Sequence, residues 1–143
     1  MSLLKQIDDR GAVLEWSPFA DRPNLVALAT KDSAGAGFDE YGGELEIHNL
    51  DFSSTGTKTN PALGSVKSSS RFSSLAWSNM TVKSDDYPNG IIAGGMADGD
   101  LNVWDATRIM NNNNDGIDPM IVSCEKHHSG PVNSLQFNPH QGW

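Results

Sequence analysis

The chain has 143 residues, a formal net charge of −8, 37% hydrophobic residues and 20% charged residues. That balance excludes a disordered polyanion and fits one soluble globular domain by length. An acidic surface repels phosphate backbones and anionic lipid headgroups, so neither nucleic acid nor a bare membrane is an expected partner.

The first ten residues, Met1–Arg10, fit a short helical turn or a strand. They hold no apolar run long enough for a signal peptide. No later run approaches the roughly 20 residues of a membrane span. The single cysteine, Cys124, cannot close an internal disulfide, so no oxidising compartment is implied and the expected location is the cytosol.

From there onward the pattern predicts strands over Ala12–Trp16, Leu25–Thr30, Glu44–His48, Ala62–Lys67, Phe72–Trp77, Ile91–Gly95, Leu101–Asp105, Met120–Glu125 and Val132–Phe137. Each is a short apolar or alternating run bounded by Gly, Pro, Asn, Asp or Ser. No sustained 3.6-residue period competes, so almost no helix is expected. Polar loops fall at Lys31–Tyr41, Phe52–Asn60, Asn79–Asn89 and Arg108–Pro119. The last contains the low-complexity run Asn111–Asn114.

The strands repeat. Ala12–Pro18, Ser73–Ser78 and Val132–Pro139 read alike, and their closing aromatics Trp16, Trp77 and Phe137 recur about 60 positions apart. Gly42–His48 matches Asp98–Trp104, with Leu45 and Ile47 aligned on Leu101 and Val103. Alternation puts each apolar pair on one face and Glu46 or Asn102 on the other. The chain therefore contains two units of four short strands and the start of a third. A sheet of that size cannot bury both faces alone and must stack on neighbours, which is the logic of a β-propeller blade.

Ala97–Asp105 has the form of a WD repeat: an Asp98-Gly99 turn, an alternating strand, then Trp104-Asp105. An Asp-Gly pair suits a two-residue hairpin. His128–Pro139 reads as the opening of the next repeat, with His128 four residues before Val132. The expected fold class is all-β, a WD-repeat propeller with two blades and the start of a third. The units run over about 8–68, 69–126 and 127–143. Asp98, Gly99, Trp104, Asp105, His128, Trp16 and Trp77 are its candidate structural positions. In WD repeats a His, a hydroxyl, the turn Asp and the Trp form a buried network, which stabilises only when satisfied. Here Ser68 stands at the His position of the second unit, Gly and Met stand where the hydroxyl belongs, and His48 replaces the first Trp. Trp16, Trp77 and Trp104 could line a ligand cage, but recurrence at one strand position favours packing between blades.

Lys5–Asp8, Ala12–Pro18 and Leu28–Thr30 resemble the start of the large outer-coat subunit of the COPII vesicle coat, the secretory protein thirty-one family. So do Leu45–Asp51, Phe72–Trp77, Ile92–Gly95 and His128–Val132. The resemblance runs from Lys5 to Pro139. It implies a seven-bladed propeller followed by a helical rod and a Pro-rich region. It also implies partnership with a smaller propeller subunit, contacts between neighbouring copies at cage vertices, and indirect membrane attachment through inner-coat proteins. The implied role is a non-catalytic scaffold for transport from the endoplasmic reticulum to the Golgi, on the cytoplasmic face of exit sites and vesicles.

Two other functions remain open on the residues alone. One is a WD-repeat adaptor of another complex, such as a ubiquitin-ligase substrate receptor; the other is a small β-rich enzyme. No enzyme signature supports the latter. Cys124, His127 and His128 lack the further ligands a zinc site needs. Gly94–Gly99 and Gly35–Gly37 lack the Lys and helix of a phosphate loop. Asp98, Asp100, Asp115 and Asp118 do not form a twelve-residue calcium loop. No nucleophile elbow marks a serine, and no cofactor is expected. Asn79-Met80-Thr81 is a glycosylation sequon that a cytosolic chain would not use. The strand Val132–Phe137 opens a unit with no continuation, so the piece is expected to be an incomplete, aggregation-prone domain.

Overall fold

The computed structural model describes residues 11–32, 42–50, 62–79, 86–111, 117–125 and 128–138. Eight strands fall in them: β1 (Gly11–Trp16), β2 (Leu25–Asp32), β3 (Gly43–Asn49), β4 (Gly64–Ser68), β5 (Phe72–Ser78), β6 (Ile91–Met96), β7 (Leu101–Asp105) and β8 (Met120–Cys124). They form two 4-stranded antiparallel sheets, each in chain order: β1-β2-β3-β4 and β5-β6-β7-β8. This is the all-β, two-blade arrangement that the repeats predict.

Register shows why the alternating sequence folds this way. Directly opposed residues of antiparallel strands share a face. In the first sheet Ala27 faces Ile47 and Ala29 faces Leu45. These side chains enter the core with Phe72, Leu75, Trp77, Ile92 and Trp104 of the second sheet. The two sheets thus pack face to face, with β5 against β1 and β2. Each large aliphatic or aromatic side chain so buried contributes about 1.5–3 kcal/mol. The neighbouring positions point the other way: Trp16 faces Val26, which faces His48, and Leu14 faces Leu28, which faces Glu46.

The hairpin between β6 and β7 pairs Gly95 with Leu101 and Ile91 with Asp105. It does not turn on two residues. Gly99 N donates to Met96 O at 3.2 Å and Met96 N donates to Asp100 O at 2.9 Å, so the loop is the three residues Ala97, Asp98 and Gly99. Gly99 has φ +97°, the left-handed conformation that closes such a loop at little cost only for glycine.

Two expectations need correction. Arg108–Met110 is not polar loop: Ala106–Met110 forms a short helix, α1, capped by Asp105, whose side chain accepts from Thr107 N. Asp105 is a favoured N-cap residue, and the helix lets Ile109 and Ala106 enter the core. Val132–Phe137 is not a strand. Ladder bonds define a strand, and this segment's described backbone bond runs singly from Val132 N to Met96 O, 3.1 Å. The remaining strands agree to within two residues at each end, as between Ala62–Lys67 and β4 (Gly64–Ser68). Met1–Arg10 lies outside the described residues, as do 33–41, 51–61, 80–85 and 112–116, which hold most of the expected loops.

Candidate interaction surface and blade-locking positions

Both sheets turn their first strand the same way, and the outcome differs. Trp77 on β5 faces the first sheet and is 6% exposed, whereas Trp16 on β1 faces away from the second sheet and is 50% exposed. Beside Trp16, Leu14 is also exposed. Trp77 thus packs in the core between the two sheets, while Trp16 lies on the face turned away from the second sheet: alternation fixes which face a side chain takes, not what stands opposite. On the other outer side, Ala93 of β6 faces Val103 of β7, which faces Val122 of β8. Val122 is 46% exposed. Each outer face of the pair thus presents apolar side chains to solvent.

Trp104 is fully buried, with its ring 5.4 Å from Phe72 and tilted by 39°. No described residue accepts a hydrogen bond from Trp104 Nε1. Gly94 lies against the other edge of the indole: a Cβ there would come 2.6 Å from the Phe72 ring and 2.9 Å from Trp104 Cζ3. Phe72, Trp104 and Gly94 thus pack closely at this level of the core. Trp77 differs, because its Nε1 donates to Asn89 O at 2.8 Å.

The other expected positions are divided. Asp98 is an exposed turn residue whose Oδ1 accepts from Asp100 N at 3.1 Å. Gly99 lies against His128: a Cβ on it would stand 2.1 Å from the His128 carbonyl oxygen. His128 is itself exposed, so its main chain rather than its ring meets the turn. Asp105 is buried and caps α1, with Arg108 Nε 3.4 Å from its Oδ2. Burial pushes the Asp105 carboxyl above its ordinary range, opposed by bonds from the Thr107 and Arg108 main chain and by the Arg108 charge. The structure therefore joins Asp98, Gly99 and the His128 backbone at one end, and Trp77 with Trp104 in the core. Trp16 stands apart from both groups.

Sequence reasoning missed a clamp at the other end of the sheets. Arg22, on the β1–β2 connection, donates Nη1 to Asn89 Oδ1 and, at 3.1 Å, Nη2 to Pro88 O, both on the second sheet's β5–β6 connection. Its guanidinium lies 4.3 Å from the centroid of the Phe19 ring, and Asn89 Nδ2 donates to Thr107 Oγ1 at 3.0 Å. It also missed a buried polar pair in β3, where His48 Nε2 and Glu46 Oε2 are 2.7 Å apart. The one sequence signal for that pair is His48 standing where the repeat has Trp.

Among the described residues no group of three or more His, Cys, Asp or Glu side chains could hold a metal ion. No described helix is long and apolar enough to cross a membrane.

Two consecutive four-stranded antiparallel meanders, stacked face to face with aromatic cores, define the class: the chain is built as WD-type β-propeller blades. No protein-family model matches the chain. It is 38% identical over 96% of its length to protein transport protein SEC31 of Dictyostelium discoideum. It is 37% identical over 91% to protein transport protein sec31 of Neurospora crassa, and 34% over 91% to protein transport protein SEC31 of Coccidioides immitis. The chain spans about a tenth of the length of these relatives. The family that it resembles, over nearly all of its own length, is thus Sec31.

Proposed function

We propose that this chain supplies blades to the propeller of a COPII outer-coat protein, a non-catalytic scaffold for transport from the endoplasmic reticulum to the Golgi. The observation that carries the reading is the near-complete alignment with Sec31 relatives, at 34–38% identity, of a chain folded into two blades. In this reading the first blade covers about residues 8–68, the second about 69–126, and a third begins near 127. Asp98, Gly99, Trp104, Asp105, His128, Trp16 and Trp77 hold the blades and their junctions. Further blades cover the outer faces that expose Leu14 and Trp16 on one side and Val122 on the other. The partners are proteins: a smaller propeller subunit of the coat and neighbouring copies at cage vertices. The membrane is reached only through inner-coat proteins, on the cytoplasmic side of exit sites.

The test replaces the corresponding segment of a full-length Sec31 relative with this chain, in cells whose own copy is depleted. Restored export of a secretory cargo, with the chimera at exit sites, supports the reading. A folded chimera that leaves cargo in the endoplasmic reticulum, or that is recovered with a cullin complex instead of coat subunits, overturns it.

A further inference from the structure

We draw no further inference here: the strongest candidate, the apolar patch of Leu14 and Trp16 on the face of the first sheet turned away from the second, carries nothing because no part of the structure shows what covers it beyond the blade already proposed.

Discussion

The Phe72 ring and the Trp104 indole meet 5.4 Å apart directly over Gly94, so the backbone of β6 forms the floor of an aromatic pair. A methyl group on that floor has nowhere to go. Gly94→Ala should destabilise the chain by about 1–3 kcal/mol, the usual cost of overpacking a closed core. Urea unfolding monitored by tryptophan fluorescence measures it, and an unchanged midpoint would show that the ring pair can shift freely.

The two buried indoles should respond differently to loss of their N–H. Trp77→Phe removes the bond to Asn89 O, while Trp104→Phe removes a donor with no acceptor among the described residues. Both changes remove the same volume, and each keeps a six-membered aromatic ring, so the hydrogen bond is the main chemical difference between them. Trp104→Phe should be the milder by about 1–3 kcal/mol, the cost of stranding or satisfying one buried polar group. Equal losses in thermal unfolding would contradict that assignment.

Asp105 gives a pH-dependent prediction. Its folded pKa is raised above 3.8 by burial. A carboxyl shifted in that direction favours folding most below its unfolded pKa. The contribution is lost as pH rises through the folded value. Asp105→Asn keeps the cap without the charge, so the variant should gain on the wild type as pH rises from 3.8 through that window. Asp105→Ala loses the cap as well and should fall about 0.5–2 kcal/mol below Asp105→Asn, with no dependence on this titration. Parallel pH profiles for wild type and Asp105→Asn would remove the role given to desolvation.

Arg22 and Asn89 join connections of different sheets. Arg22→Ala and Asn89→Ala should be non-additive, with a coupling energy of about 0.5–3 kcal/mol in a double-mutant cycle. Coupling within measurement error would mean that the two sheets hold their relation without the clamp.

Trp16 offers the opposite case. With half of its surface open, Trp16→Gln should change the stability of this chain by no more than about 0.5 kcal/mol. The same change in a full-length relative-based chimera should cost several times more, because there the proposed neighbouring blade covers the indole. Equal small effects in both settings would remove the support that this face gives to ring closure.

The strands were legible because a two-residue alternation bounded by turn formers is local information. Leu45-Glu46-Ile47-His48 and Leu101-Asn102-Val103-Trp104 announce both the strand and its two faces. Helix α1 was harder to see. Five residues carry less than two turns of periodicity, and the asparagine run that follows them reads as loop. Trp16 and Trp77 have similar neighbours in sequence, but their burial in this chain depends on the other sheet, which Trp77 faces and Trp16 does not. The Arg22–Asn89 clamp joins residues 67 positions apart and leaves no local trace. Val132–Phe137 has the composition of a strand, yet hydrogen bonding to a neighbour is a property that composition cannot supply.

The chain-ordered sheets also bear on synthesis. Each ladder in β1–β4 joins strands adjacent in sequence, and nothing from a later part of the chain is inserted between them. A ribosome releases the N-terminus first, so the first four strands can pair before β5 has emerged. Each closure joins strands adjacent in sequence, and its entropic cost rises only slowly with loop length, which favours this early step. In that order the face carrying Ala27, Ala29, Leu45 and Ile47 would be the surface onto which the second sheet packs. Growth of this kind would be vectorial, and an error in the first meander would then be passed to the second.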